Sequence, residues 1–265
     1  RSSDLLCVTL LSNPGDPGWI EEPGYRGAKA AFRAGELNLI PIPADHQGLA
    51  PQPGHWKQAP PRLIYTTPTH QYPTGAVMSA ARRLALITAA RQHRAWIIED
   101  DYDGDFHYHG DPIMAMQGMT DNAPVIYLGS FSKTLFPALR IGFMVLPAPL
   151  VSRLTPALHQ LLRGGNRPEQ QALTRFILSG DYRRHLGKMR RLYRQRQELL
   201  RSELQRAAGQ SLPLLGGDSG LHLVLPLASH HNDAVIARQL HQAGFAPAAL
   251  SEFYLAEPVQ QGLVM

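Results

Sequence analysis

The chain has little cysteine and no long apolar run. Its 265 residues include a single cysteine, Cys7, so no disulfide can form within the chain, which is typical of a reducing cytoplasm. No stretch approaches the roughly 20 apolar residues that a membrane-spanning helix needs. The first residues also lack the charged and apolar regions of a secretory signal. We therefore expect a cytoplasmic protein without a membrane segment.

Charged residues are also few, at 18% of the chain, while 44% of the residues are hydrophobic. These values are ordinary for a globular protein and exclude a disordered chain. The net charge of +5 raises the question of nucleic-acid binding. Many of the cations lie in one long predicted helix, where they are better explained as a solvated helix face. Those cations are Arg183, Arg184, Lys188, Arg190, Arg191, Arg194 and Arg196.

Apolar, β-branched runs alternate with a helical pattern over the first 150 residues. Nearly continuous apolar strands separated by helices predict an α/β fold with a mostly parallel sheet sandwiched by helices. A helix is predicted between the second and third strands, at residues 79–92. The predicted strands are residues 38–42, 62–66, 95–99, 125–128 and 141–145.

After Pro149 the pattern changes to helices and then to a second, smaller α/β lobe. We place a large domain with its connecting helices at residues 1–200 and the start of a small C-terminal domain at 201–265. The chain opens without methionine and stops at what is predicted to be the start of a strand, which indicates a piece of a longer protein. The predicted helices are 149–162, 168–178, 181–208 and 232–243, and the predicted strands are 220–225 and 245–249.

Three polar clusters follow predicted strands of the large domain. Asp100 and Asp101 follow the third strand, Lys133 follows the fourth, and a Pro/Gly turn at residues 67–75 follows the second. In open parallel sheets, ligands bind beyond the carboxyl ends of the strands. We therefore expect a carboxylate, a lysine and a tight turn to converge on one edge of the sheet.

This set of groups suits one cofactor. A lysine amine can attack an aldehyde, and the hydroxyls of Ser130 and Ser132 with the cation of Arg140 suit a phosphate. A carboxylate at a strand end can pair with a protonated ring nitrogen, as proteins do with pyridoxal phosphate. Taken singly, Lys133 could lie in a surface turn and Asp100 could cap a helix. Their joint order and spacing favour the cofactor site.

The sequence resembles the cofactor region of fold type I aminotransferases. The resemblance rests on IEDDYD at residues 98–103 and on VIYLGSFSKTLFPALRIG at residues 125–142. TPTHQYPTG at residues 67–75 narrows it to the MocR subfamily. Members of that subfamily are bacterial transcription regulators that join a GntR-type winged helix-turn-helix to an aminotransferase-like domain. The resemblance is most specific over residues 13–200.

The resemblance implies a role for each matched residue. It implies that Lys133 forms a Schiff base with pyridoxal phosphate, that Asp100 pairs with the pyridine nitrogen and that Tyr102 contacts the phenolic oxygen. Tyr25 would stack on the cofactor ring. The cofactor's phosphate would be held by Ser130, Ser132 and Arg140.

The sequence also departs from the family pattern at several positions. Tyr72 stands where many aminotransferases have an asparagine that contacts the phenolic oxygen, with Gln71 beside it, and we include both among the cofactor-binding residues. His107 stands where the family usually has arginine. The pair His107 and His109, with His70 elsewhere, lacks a convergent ligand set, so no metal is expected.

Three functions share this fold and cofactor. The resemblance favours the effector domain of a homodimeric MocR/GntR-type regulator, which senses pyridoxal phosphate or a small amino compound and binds DNA through an upstream domain. The alternative is a free-standing aminotransferase, and a lyase or racemase is a third possibility. The residues before Arg1 would discriminate, because a winged helix-turn-helix there identifies the regulator.

Overall fold

The computed structural model describes residues 2–108, 110–209, 212–217 and 219–265. Its largest feature is a seven-stranded sheet with strand order β3-β2-β1-β4-β5-β6-β7. The five central strands, in the spatial order β2-β1-β4-β5-β6, pair in parallel. β3 and β7 pair antiparallel with their neighbours at the two edges. The strands are β1 Pro17–Glu22, β2 Asn38–Asp45, β3 Gly48–Leu49, β4 Leu63–Thr66, β5 Trp96–Asp101, β6 Val125–Ser130 and β7 Gly142–Val145. The predicted α/β fold with a mostly parallel sheet is confirmed.

Helices cover both faces of this sheet. Buried residues of α1, α2 and α6 form one apolar cluster with the sheet, and those of α4 and α5 form another on the opposite face. The helices are α1 Ser2–Leu11, α2 Arg26–Ala34, α3 Pro53–Gln58, α4 Ala80–Gln92, α5 Met116–Met119, α6 Ala148–Leu162, α7 Arg167–Leu178, α8 Asp181–Ala208 and α9 Asp233–Gln242. None of the described helices is both long and apolar enough to cross a membrane.

Most predicted elements lie where the structure has them. The helix predicted at 79–92 begins after Ser79, whose hydroxyl accepts a hydrogen bond from the Arg82 amide and caps the helix. The helices predicted after Pro149 agree with α6, α7 and α8 to within one residue. The seven cations of α8 named above are exposed, as expected of a solvated face.

One central strand was missed. β1 begins with Pro17 and Gly18, which are residues that normally interrupt strands. Gly18 is required there, because a Cβ would lie 2.6 Å from a ring carbon of Phe32. The glycine that hides the strand in the sequence therefore lets α2 pack closely on the sheet.

The C-terminal part forms a separate three-stranded antiparallel sheet with order β8-β10-β9 and α9 packed against it. The boundary proposed at residue 200 lies within α8, which continues to Ala208. The strand predicted from Gly220 begins only at Val224, and the one predicted from Phe245 shortens to two residues. The strands are β8 Val224–Leu227, β9 Ala248–Ala249 and β10 Gln261–Val264.

Candidate functional site

Asp100 lies near the carboxyl end of β5, on the sheet face that α1 covers. Its side chain is buried, and Oδ2 accepts a hydrogen bond of 2.5 Å from the hydroxyl of Tyr65 at the end of β4. Burial, together with the charges of Asp4 and Asp100, raises the pKa of the Cys7 thiol in α1 to about 12. Asp100 therefore lies between the strand ends and the N-terminal half of α1.

The two acidic neighbours of Asp100 face the other side, because successive side chains of a strand alternate. Asp101 accepts hydrogen bonds from Tyr127 Oη at 2.7 Å and from the Gly104 amide at 2.9 Å. Glu99 accepts two hydrogen bonds from backbone amides at the start of α5. Of the three consecutive carboxylates, Asp100 is the one on the sheet face that α1 covers, beside Tyr65.

Four tyrosines form an aromatic cluster beside Asp100. The Tyr25 ring lies nearly parallel to that of Tyr65, with 6.5 Å between ring centroids and 25° between planes. Tyr72 makes edge contacts with Tyr25 at 6.0 Å and with Tyr102 at 5.8 Å. Burial, followed by the charge of Asp103, raises the pKa of Tyr102. The structure thus brings three of the predicted site residues, Tyr25, Tyr72 and Tyr102, to one place.

Gln71 holds the turn at residues 67–75. Its side chain is fully buried, and Nε2 donates to Glu21 Oε2 at 3.1 Å and to the Pro23 carbonyl at 2.9 Å. Its Oε1 accepts hydrogen bonds from the amide and the hydroxyl of Thr74. The amide group of Gln71 is occupied within the turn, whereas the ring of Tyr72 faces the aromatic cluster.

Glu21, near the end of β1, holds the same turn in place through hydrogen bonds. It accepts hydrogen bonds from Thr66 Oγ1, from the Thr67 amide and hydroxyl, and from Gln71 Nε2. Burial raises the pKa of Glu21, and these hydrogen bonds oppose that increase. A buried acceptor surrounded by donors makes this carboxylate a structural support of the site.

Replacing Glu21 by glutamine is expected to destabilise the fold by about 1–3 kcal/mol. The new amide group would face donors, and neither the Thr67 amide nor Gln71 Nε2 can become an acceptor. Urea unfolding of the variant measures the loss. Glu36→Gln, at an exposed position, is the matched control. A change of less than about 0.5 kcal/mol for Glu21→Gln would contradict the role assigned to this residue.

Lys133 lies in a turn directly after β6, and its side chain is exposed. The turn begins with a hydrogen bond of 3.1 Å from the Ser132 amide to Ser130 Oγ. Arg140, also exposed, follows a short 3-10 helix and has a φ of 54°, which is uncommon for a residue with a side chain and often marks a functional position. The charge of Lys133 is one of the smaller contributions to the lowered pKa of His222.

A second polar group adjoins the tyrosines. His70 Nδ1 lies 3.2 Å from Tyr102 Oη and 3.1 Å from Asp103 Oδ2. The ring of His222 lies 4.7 Å from that of His70 and 5.0 Å from that of Tyr72, measured between centroids. Burial and the neighbouring His70 lower the pKa of His222 to about 4.

The assembly of this group was not predicted from the sequence. His70 and Asp103 lie within the motifs that carry the resemblance, so their positions could have been noticed. His222 comes from the C-terminal part, and no local pattern in Gly220-Leu221-His222 indicates its partners. His107 pairs through its backbone with Ser219, and its expected companion His109 lies outside the described residues.

The assembled residues fit pyridoxal phosphate. A buried carboxylate, a wall of tyrosines and an accessible lysine with neighbouring hydroxyls lie at the carboxyl ends of adjacent strands. The fold and the site together define an aminotransferase-like protein of fold type I. The profile of the family "Aminotransferase class I and II" matches residues 2–258, and the chain belongs to this family. The cofactor of the family is pyridoxal phosphate.

The chain is similar in sequence to bacterial regulators. The chain is 36% identical over 248 residues to the uncharacterized HTH-type transcriptional regulator YhdI of Bacillus subtilis, covering 93% of this chain and 52% of that protein. It is 36% identical over 263 residues to the probable rhizopine catabolism regulatory protein MocR of Rhizobium meliloti, covering 98% and 52%. The chain thus spans about half the length of these relatives. The resemblance to MocR regulators is confirmed.

Solved structures confirm the fold. The kynurenine aminotransferase of Pyrococcus horikoshii superposes with a TM-score of 0.87 at 26% identity, covering 100% of this chain and 67% of that one. That structure was determined with pyridoxamine phosphate, with kynurenine as substrate and with the product. The predicted fold type I architecture is therefore correct for this chain.

Proposed function

We propose that this chain is the pyridoxal-phosphate-binding effector domain of a bacterial transcription regulator of the MocR type. The observation that carries the proposal is the similarity of nearly the whole chain to about half of each of two regulators, the HTH-type YhdI and the MocR protein. DNA would be bound by a winged helix-turn-helix domain upstream of this chain. Such a regulator acts in the cytoplasm as a homodimer, and closed two-fold assemblies are the commonest oligomers.

In this proposal Lys133 binds the cofactor covalently through its amine, and Asp100 accepts a hydrogen bond from the protonated ring nitrogen. Tyr102 donates to the phenolic oxygen, and the ring of Tyr25 covers one face of the cofactor. When bound, pyridoxal phosphate supplies an electron-withdrawing ring to an attached amine. The phosphate would be held by Ser130, Ser132 and Arg140. Gln71 and Tyr72 complete the proposed set, Gln71 through the turn and Tyr72 through its ring.

The bound group would act as a switch. The effector is pyridoxal phosphate itself or a small amino compound that reacts with it. Moving a two-state equilibrium from 1:99 to 99:1 takes about 5.5 kcal/mol of differential affinity. A covalent bond to Lys133 and a phosphate site can supply energy of that order if both form fully in one conformation only. The switch would change how the two DNA-binding domains of the homodimer are placed relative to each other.

The alternative function is that of a free-standing aminotransferase. The observation in its favour is the superposition on the kynurenine aminotransferase of Pyrococcus horikoshii. Fold and cofactor are common to both functions and cannot separate them. The two proposals differ in what the intact protein does with DNA and with amino acids.

The full-length protein tests the proposal with a labelled DNA fragment from upstream of its own gene. We expect pyridoxal phosphate to change the affinity for that fragment several-fold, and we expect Lys133→Ala to remove the change while leaving the DNA affinity without cofactor intact. Lys188→Ala, at an exposed site on α8, is the matched control. Steady turnover of amino and 2-oxo acids at about 10 s⁻¹ or more, without DNA binding, would favour the enzyme instead.

A further inference from the structure

His70, Asp103 and His222 form a buried cluster that the proposed cofactor site does not use. All three side chains are buried, and one potential metal-ligating atom from each lies within 4.8 Å of the others. His70 lies in the turn after β4, Asp103 follows β5, and His222 precedes β8 in the C-terminal part. The cluster therefore joins the large sheet to the C-terminal lobe.

Several polar atoms of this cluster lack hydrogen-bond partners among the residues that the structure describes. They are Nε2 of His70, Oδ1 of Asp103, Nε2 of His222 and Oγ of the adjacent Ser219. Buried polar atoms are rarely left unpaired, and a group of them marks the place of a water molecule or an ion. Two imidazoles and one carboxylate are the donor set that zinc and related divalent ions prefer.

We propose that His70, Asp103 and His222 bind a divalent transition-metal ion, with Zn²⁺ as the ion that the donor set suits best. Two of the donors, His70 Nδ1 and Asp103 Oδ2, are 3.1 Å apart. Two nitrogen or oxygen ligands on a tetrahedral zinc ion lie about 3.3 Å apart. Binding would draw His222 inward, and a water molecule would occupy the fourth position.

Charge favours an ion over a water molecule. Within the described part of the chain, His70 is the one basic side chain at ion-pair distance from the buried carboxylate of Asp103. Zinc requires neutral imidazoles as ligands. Nε2 of His222 is buried and has no hydrogen-bond partner among the described residues, so this atom can be offered to an ion. A divalent ion bound there would neutralise the carboxylate of Asp103 and give Nε2 of His222 a partner.

The position of His70 is fixed by its surroundings. A Cβ on Gly220, which has a φ of 80°, would lie 1.9 Å from His70 Cε1. A Cβ on Gly75 would lie 3.2 Å from His70 Nε2. The glycines thus let the backbone of both lobes approach the imidazole closely. A metal at this point would clamp the C-terminal lobe against the large sheet beside Tyr102.

The test uses full-length protein without a histidine tag, dialysed against Zn²⁺ and then against metal-free buffer. Elemental analysis is expected to find one zinc per chain in the native protein and less than a tenth of that in His222→Gln and in Asp103→Asn. The control is His230→Gln with His231→Gln, an exposed pair of adjacent imidazoles that would bind metal only at the surface. This double variant is expected to keep its zinc.

X-ray absorption at the zinc edge of the native protein gives an independent measurement. We expect four nitrogen or oxygen ligands at about 2.0–2.1 Å, with the scattering of two imidazoles. Native protein that retains no zinc, or zinc retained equally by His222→Gln and Asp103→Asn, would overturn the proposal. If His222→Gln does not fold, Asp103→Asn and the native spectrum decide. The result does not depend on whether Lys133 binds pyridoxal phosphate.

Discussion

Replacing Lys133 by alanine is expected to abolish covalent attachment of pyridoxal phosphate. The chain contains three other lysines, Lys29, Lys57 and Lys188. Lys29 is buried and bound to Glu22 and to the Phe253 carbonyl. Lys57 and Lys188 are exposed on the helices α3 and α8 and do not follow a strand end. Among these lysines, Lys133 alone follows a strand beside the one that carries Asp100.

Borohydride reduction followed by peptide mass spectrometry measures this loss. Reduction fixes the cofactor to the lysine that holds it, so the modified peptide identifies the residue directly. Native protein and the control Lys188→Ala should carry the adduct on the peptide that contains Lys133, and Lys133→Ala should carry none. A reducible adduct on Lys29 or Lys57 in the native protein would show that the assignment is wrong.

Asp100→Asn is expected to weaken cofactor binding by about 2 kcal/mol or more, which is roughly 30-fold or more in the dissociation constant. The substitution keeps the size of the side chain but removes the charge that would stabilise a protonated ring nitrogen. Because Asp100 is buried, water cannot replace that charge. Equilibrium dialysis of pyridoxal phosphate with each variant gives the two constants.

Asp101→Asn is the matched control for this substitution. Its carboxylate bonds to Tyr127 and Gly104 on the opposite face of the sheet, so its loss is expected to lower the free energy of unfolding more than the cofactor affinity. A larger loss of cofactor affinity in Asp101→Asn than in Asp100→Asn would exchange the roles of the two residues. Because Asp100 and Asp101 are adjacent but face opposite sides of the sheet, the two variants directly compare the contribution of each face to cofactor affinity.

Local patterns were sufficient for most of the secondary structure. The cap at Ser79 and the helical periodicity after Pro149 located α4, α6, α7 and α8, because these signals lie within a few residues of the elements they define. β1 was missed because the close approach of Phe32 to Gly18 requires a residue that normally argues against a strand. The reason for that glycine lies in α2, outside the strand itself.

The residues of the candidate site also divide into those that local sequence locates and those that only packing locates. The sequence by itself determined that Lys133 follows one predicted strand and that three consecutive carboxylates lie at the end of another, since strand ends and turns are local features. The face that Asp100 occupies was decided by the tertiary structure. Strand alternation separates Asp100 from Asp101, but only the packing of α1 on one face and α5 on the other says which carboxylate meets the site.

The cluster of His70, Asp103 and His222 was decided entirely by tertiary structure. His70 and Asp103 meet because β4 and β5 are neighbours in the sheet, which pairs them in parallel and places the turns after both strands together. His222 joins them because the C-terminal lobe folds back against these turns. Side chains far apart in a chain are brought together by the packing of whole elements, and no spacing in the sequence records that packing.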